Sequence, residues 1–128
     1  MAYRSFEELE VWQRACRLSV EIFQTFHSCK YPNLTGQIER SGLSVPSNIA
    51  EGAERGGAKE FSQFLKIAKG SAGELRTQLY IAKKLKAIPA EAATGMIEES
   101  SQISAMIEGL RKSIAPQTKT TLSSQLKT

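Results

Sequence analysis

Apolar residues recur at helical spacing along most of this chain, and they divide it into four amphipathic segments. Segments over residues 6–29, 34–55, 58–87 and 90–114 each place their apolar side chains on one side of a helix drawn at 100° per residue. The third has a predicted core face of Phe61, Phe64, Ala68, Leu75, Leu79 and Ala82. The fourth carries its apolar residues at alternating spacings of three and four, a seam typical of helix packing: Ala93, Met96, Ser100, Ile103, Ile107, Leu110 and Ile114. No stretch alternates with the period of a β-strand.

Local signals separate these helices by short connections. Ser5 and Glu8 have the spacing of a capping box, which predicts a helix start there. Pro32 disfavours helix at the preceding residue, Gly56-Gly57 suits a helix end, and Pro89 stops the third helix. We therefore predict an all-α fold, an antiparallel up-down-up-down four-helix bundle over residues 1–114. The remainder, 115–128, is rich in Ser, Thr, Gln and Lys and is predicted to be a disordered tail.

The second helix contains the least favourable helix formers, in the stretch SGLSVPSNIAEGAERGGAKEF at 41–61. Pro46 removes one helical hydrogen bond, so a local kink is expected between Gly42 and Pro46. The small residues around it would let neighbouring helices approach closely. The polar residues nearby are interpreted as a structural cluster in preference to a catalytic one, with the following members: Asn48, Glu51, Ser71 and Glu74.

The apolar arc of the first helix spans about half of its circumference, which exceeds the roughly 100° that one core requires. Val20 and Phe23 belong to this broad arc together with Leu9, Trp12 and Cys16. Part of the arc is therefore expected to contact another subunit of a homo-oligomer.

Composition is consistent with one globular domain of 128 residues, 41% of them hydrophobic. No apolar run approaches the roughly 18 residues that span a bilayer, and the first residues lack a signal-peptide core, so a cytoplasmic location is expected. Cys16 and Cys29, about 20 Å apart if both lie on the first helix, are expected to be reduced thiols.

Positive charge is concentrated in the middle of the chain. The net charge is +4, yet residues 55–86 alone carry +6. On the third helix most of these cations fall within about 100° of one another, which suits contact with several phosphates, and Tyr80 among them is placed to stack on an unpaired base. An ordinary solvated helix face is the competing interpretation. The predicted nucleic-acid-binding residues are Arg55, Lys59, Lys66, Lys69, Arg76, Tyr80, Lys83 and Lys84.

Residues for catalysis are scarce. The chain has one His, His27, and no Asp, so a hydrolytic triad has no visible partners. Metal-ligand spacings are missing, and GAERGG lacks the preceding strand and the Lys-Ser/Thr of a phosphate-binding loop. We therefore expect a protein that is not an enzyme, with no metal and no cofactor.

Three stretches together resemble the four-helix bundle proteins encoded in intervening sequences of bacterial 23S ribosomal RNA genes. They are FEELEVWQRA at 6–15, LTGQIERSGLSVPSNIAEGAER at 34–55 and KEFSQFLKIAKGSAGELRTQLYIAKKL at 59–85, and the likeness covers about residues 5–114. This resemblance implies a ring-shaped homopentamer. It also implies kinship with the accessory variability proteins of diversity-generating retroelements, which bind nucleic acid and a reverse transcriptase. No catalytic residue is carried over.

Two functions remain open at this level. The first is a non-enzymatic, homo-oligomeric nucleic-acid-binding protein, with RNA as the expected ligand and the basic stripe of the third helix as its binding face. The alternative is a scaffold or adaptor for another protein, such as a reverse transcriptase or an RNA-processing enzyme, which would use the surplus apolar surface of the first helix.

Overall fold

The computed structural model describes residues 5–114, which form four α-helices and no strand. A short 3₁₀ turn, Phe6–Glu8, precedes them. The helices are α1 (Glu10–Thr25), α2 (Pro32–Glu54), α3 (Ala58–Lys84) and α4 (Ala90–Ile114). The predicted all-α class is confirmed. The predicted tail at 115–128 lies outside the described residues.

Each helix packs against two others, which closes the bundle around one core. α1 and α3 both contact α2 and α4. Contacts between α2 and α3 run in opposite senses along the two helices, since Ser41 meets Gln78 and Ser44 meets Ser71. The result is a four-helix bundle whose fully buried side chains come from all four helices: Ile22, Ile38, Ile49, Leu65, Leu75, Leu79, Met96, Ile103 and Ile107.

The start of the first helix differs from the prediction. Ser5 makes no capping hydrogen bond through its side chain, so the predicted capping box is wrong. The 3₁₀ turn instead ends at Glu8, and the extended backbone of Leu9 separates it from α1. Phe6 packs edge-on against Trp12 with ring centroids 5.2 Å apart, and Gln13 Nε2 donates to the Glu7 carbonyl at 2.7 Å. These contacts fold the turn back onto α1.

Other helix boundaries moved by a few residues. α1 ends at Thr25 and not at residue 29, and α3 ends at Lys84 and not at 87. α2 begins at Pro32, two residues before its predicted start, because proline is well suited to the first position of a helix, where its missing N–H is not needed. The predicted bounds of α4 are confirmed.

Small residues on α2 permit close helix packing, as the sequence suggested. A Cβ atom added at Gly52 would lie 2.6 Å from the Cβ of Phe64 on α3, and one at Gly42 would lie 2.9 Å from Cδ1 of Ile22 on α1. α2 continues through Pro46, which is buried. Both helices beside α2 therefore approach it closely at a glycine, α1 at Gly42 and α3 at Gly52.

On α3, most of the predicted core face is buried, and two further core residues were missed. Phe61, Ala68, Leu75, Leu79 and Ala82 are buried, whereas Phe64 is half-buried. The missed residues are Leu65 and Ala72. No helix within residues 5–114 is long and apolar enough to cross a membrane.

Candidate nucleic-acid interface

The cationic residues of α3 that face α4 line an open groove between the two helices. This α3–α4 groove encloses about 480 Å³. Its lining residues come from both helices: Lys66, Lys69, Gly70, Gly73, Arg76, Ser104, Glu108 and Arg111. Lys66, Lys69, Gly73 and Arg76 share this side because their spacings of three and four residues repeat with the helical period.

Two glycines leave the α3 backbone uncovered in the middle of the groove. Among the described residues, a Cβ atom added at Gly70 or Gly73 would meet no atom within 4 Å. Packing therefore does not require glycine at either position, in contrast to Gly52. A ligand can approach the α3 backbone here more closely than elsewhere between the flanking cations.

One carboxylate organises the α4 side of the groove. Glu108 accepts hydrogen bonds from Arg111 Nη2 at 2.7 Å and Nε at 3.0 Å, and from Lys69 Nζ at 3.3 Å. The hydrogen bonds from Arg111, followed by that from Lys69, lower the pKa of Glu108 to about 2. At neutral pH the groove therefore holds four cationic side chains and one carboxylate, a net charge of +3.

The remaining α3 cations of the predicted site lie before and after Lys69, the lysine that bonds to Glu108. Within residues 5–114, Lys66 and Arg76 form no ion pair and present their charge to the groove. Lys83 and Lys84 occupy the last turn of α3 and are exposed, and the Tyr80 side chain is 53% exposed. The structure thus brings Lys66, Lys69 and Arg76 together in the groove, while Tyr80, Lys83 and Lys84 are exposed further along α3 and do not line it.

Arg55 is placed differently from the rest of the predicted site. Its guanidinium bonds to Glu51 at 3.1 Å and to Glu60 at 3.4 Å, and it lies 5.1 Å from the ring centre of Phe64. The Glu51 hydrogen bond is the main cause of its raised pKa. Two carboxylates therefore offset its charge, while the neighbouring Lys59 is exposed.

The predicted structural polar cluster is only partly assembled. Asn48 Nδ2 donates to the Ser44 hydroxyl at 2.9 Å, and that hydroxyl lies 2.8 Å from the hydroxyl of Ser71, so Ser44 links α2 to α3. Glu51 and Glu74 do not join this chain of hydrogen bonds. Glu51 pairs with Arg55, and Glu74 lines a pocket between α2 and α3 that Ser44 also lines.

Sequence reasoning missed the α4 half of the groove. Glu108 and Arg111 have the i, i+3 spacing of a helical ion pair, which was visible in the sequence. The register that places Glu108 beside Lys69 was not, because it depends on how α3 and α4 pack.

Within residues 5–114, no three His, Cys, Asp or Glu side chains come together in a way that could hold a metal ion. Cys16 and Cys29 are both free thiols. Burial raises the pKa of Cys16, which keeps it protonated at neutral pH.

The fold and groove define a class, a four-helix bundle with a cationic cleft along one helix pair. A family model for 23S rRNA-intervening sequence proteins matches residues 7–109, and the chain belongs to that family. The resemblance drawn from the three sequence stretches is thereby confirmed. No curated protein matches this chain.

Among solved structures, the chain is similar to a protein of unknown function from the S23 ribosomal protein family of Bacteroides thetaiotaomicron. The two are 24% identical, with a TM-score of 0.75. The alignment covers 80% of this chain and 98% of that one. This similarity supports the four-helix fold.

Proposed function

We propose that this protein is a non-enzymatic, homo-oligomeric nucleic-acid-binding protein, with RNA as its ligand, and that it binds through the α3–α4 groove. The observation that carries the proposal is the groove itself, where a net charge of +3 flanks an uncovered stretch of helix backbone. Membership of a family named for a ribosomal RNA intervening sequence favours RNA over DNA.

Phosphate contacts explain how such a groove would bind. Lys66, Lys69 and Arg76 are separated by three and seven residues, so they span about 15 Å along α3 at 1.5 Å per residue. That length accommodates more than one phosphate of a single strand or of a helix edge. Contacts of this kind give affinity with little choice of sequence, and they weaken as salt rises because bound counter-ions are no longer released favourably.

A salt series tests the proposal directly. Fluorescence anisotropy with a structured RNA is measured for the wild type and for a variant carrying Lys66→Glu, Lys69→Glu and Arg76→Glu. We expect the variant to lose at least about tenfold in affinity and its plot of log K against log salt to become less steep by about 2. The matched control changes three exposed cations elsewhere, Arg17, Lys30 and Lys112, to Glu.

Because the control variant changes the net charge of the protein by the same amount, it distinguishes binding in the groove from general electrostatic attraction between the protein and RNA. A wild-type plot that is flat with salt, or equal losses in the two variants, would contradict binding in the groove.

We place self-association on α1, and a homopentamer is the assembly that we propose. Val20 and Phe23, one turn apart on α1, are 56% and 43% exposed. Leu43 on α2 is also exposed. It directly follows Gly42, which packs against Ser19 and Ile22 of α1. Exposed apolar side chains at neighbouring positions favour contact with another protein surface.

An adaptor that binds a protein partner is the second candidate, and the same exposed apolar residues of α1 favour it. Pull-down from a cell extract, with and without nuclease, distinguishes the two functions. A partner that remains after digestion supports an adaptor, whereas a partner lost on digestion supports nucleic-acid binding.

A further inference from the structure

A second concave site lies on the opposite side of α3, between α2 and α3. It encloses about 350 Å³ and is polar throughout, with the following lining residues: Gln37, Arg40, Ser41, Ser44, Glu74 and Gln78. Glu74 and Arg76 are two residues apart, about 200° around the helix, so this α2–α3 pocket and the α3–α4 groove face different ways.

Gln78 is a buried amide with half of its hydrogen-bonding capacity unused. The residue is only 8% exposed, and its side-chain Oε1 accepts a hydrogen bond from the Ser41 hydroxyl at 2.9 Å. Within residues 5–114 its Nε2 group has no hydrogen-bond partner. Gln78 lines the pocket, and its Nε2 group is not among the buried side-chain atoms that lack a partner, so this N–H donor is open to the pocket and can bond to an acceptor of a ligand there.

Arg40 and Glu74 line the same pocket without pairing, although their charges are opposite. Neither forms an ion pair with any residue in the described part of the chain. An anion such as phosphate would be repelled by Glu74, and a cation would be repelled by Arg40. The pocket therefore favours a neutral group that offers acceptors on one edge and donors on another.

We propose that the α2–α3 pocket binds a guanine base. Guanine is the one common base with two adjacent donors, N1–H and the 2-amino group, which match the two oxygens of the Glu74 carboxylate. Its O6 and N7 are adjacent acceptors, which match the fork of the Arg40 guanidinium and the Gln78 Nε2 donor. In adenine, cytosine and uracil, the N–H donor that would bond to the Glu74 carboxylate has an acceptor beside it in place of a second donor.

The guanine can come from an unpaired residue of RNA or from a free nucleotide, and the experiment has one arm for each source. In the RNA arm, a ten-residue oligouridine with one central guanosine is compared with the all-uridine decamer, which has the same number of phosphates. In the second arm, guanosine is compared with adenosine by titration calorimetry. We expect guanine to be preferred by at least about tenfold in one or both arms.

Base analogues assign the contacts. Inosine lacks the 2-amino group and 7-deazaguanosine lacks N7, so each is expected to lose most of the preference. The Glu74→Gln variant is expected to lose the preference for guanosine over inosine, whereas Glu98→Gln on α4, an equal change of charge, keeps it. Circular dichroism and thermal unfolding of Glu74→Gln should match the wild type, because Glu74 is exposed and its side chain makes no hydrogen bond to any residue of 5–114.

The result is independent of phosphate binding in the groove. Nucleosides carry no phosphate, and the variant with Lys66, Lys69 and Arg76 changed to Glu should retain the ratio of affinities for the two decamers even if both bind more weakly. Equal affinity for guanosine and adenosine together with equal affinity for the two decamers overturns the pocket, whatever the groove does. A guanine preference that survives Glu74→Gln also overturns it.

Discussion

Lys86, in the turn between α3 and α4, has a left-handed backbone with φ of 56°. The turn is a Schellman motif, in which the N–H groups of Ala87 and Lys86 donate to the carbonyls of Ala82 and Lys83. Glycine is the usual residue here because a side chain strains this conformation. The corresponding residue after α2 is Gly56, with φ of 84°. Lys86 therefore stores strain that its neighbours impose.

Replacing Lys86 with Gly should stabilise the protein. We expect a gain of about 0.5–1 kcal/mol in the free energy of unfolding, since the relief of strain exceeds the added entropy of the unfolded chain. Urea denaturation measures it. Lys84→Gly, two residues earlier and still in α3, is the control and should cost about 1 kcal/mol. A loss of stability at both positions would contradict the strain at Lys86.

Gly52 and Gly109 are both helical glycines, but only one is confined. At Gly52 an added Cβ would lie 2.6 Å from Phe64 Cβ and 3.1 Å from Phe61 Cδ1, whereas at Gly109 it would meet no atom of residues 5–114 within 4 Å. Gly52→Ala should therefore lower the free energy of unfolding by about 1–2 kcal/mol, because the clash outweighs the better helix propensity of Ala. Gly109→Ala should raise it by about 0.5–1 kcal/mol. Equal effects in urea denaturation would show that α2 and α3 can separate to admit a methyl group.

At the scale of the helices, Glu108 holds Lys69 and Arg111 in position and also competes for their charge. Glu108→Gln raises the net charge of the groove from +3 to +4 and removes a carboxylate that repels phosphate. We expect RNA affinity to rise by about threefold to tenfold at low salt, with a steeper salt dependence. Anisotropy titration measures it, with Glu98→Gln as the control elsewhere on α4. A lower affinity would show that Glu108 helps RNA binding by holding Lys69 and Arg111 in position more than it weakens binding by offsetting their charge.

The Arg14–Glu99 contact ties α1 to α4 and should give the protein a dependence on acid. Arg14 Nε donates to Glu99 Oε2 at 2.9 Å, and this hydrogen bonding lowers the pKa of Glu99 below its ordinary value of 4.5. The stabilisation is therefore present above pH 4.5 and is lost as pH falls through the lowered pKa.

Glu99→Gln should consequently cost about 1–2 kcal/mol at pH 7, as expected for a charge-assisted hydrogen bond, and less at pH 3. Urea denaturation at both values measures the difference. A cost that does not change with pH would mean that the contact acts through packing and not through charge.

The helices could be predicted from the sequence much more fully than the sites. The helical spacing of apolar residues and the positions of Pro and Gly located all four helices. The seam of α4 was assigned correctly because Ile103 and Ile107 repeat at the core spacing. The start of α1 was wrong because the capping signal at Ser5 is not used, and Phe6 instead lies in a 3₁₀ turn and packs on Trp12. The α3–α4 groove was half predicted, since the row of cations follows from α3 alone. Its other half, and the α2–α3 pocket, depend on the register between helices.

On the scale of the whole molecule, the proposed surfaces are separated by the order of the helices. α1 and α3 each pack against both α2 and α4, so they lie at opposite corners of the bundle. Assembly through the exposed residues of α1 would therefore leave the cationic residues of α3 free. Each added subunit would contribute another groove, and weak contacts with one long RNA would be multiplied.

Replacing Val20 and Phe23 with Ser tests this division. Because both side chains are largely exposed within one chain, we expect little change in helical content but a shift in light scattering from an oligomer to a monomer at micromolar concentration. The affinity for a long RNA should fall by at least about tenfold, while a ten-residue RNA that reaches one groove should bind as before. Ile67→Ser and Ile81→Ser, at exposed positions of α3, provide the control for lost apolar surface. A wild-type protein that scatters as a monomer would remove self-association from the mechanism, and the groove of one subunit would then have to supply all of the affinity.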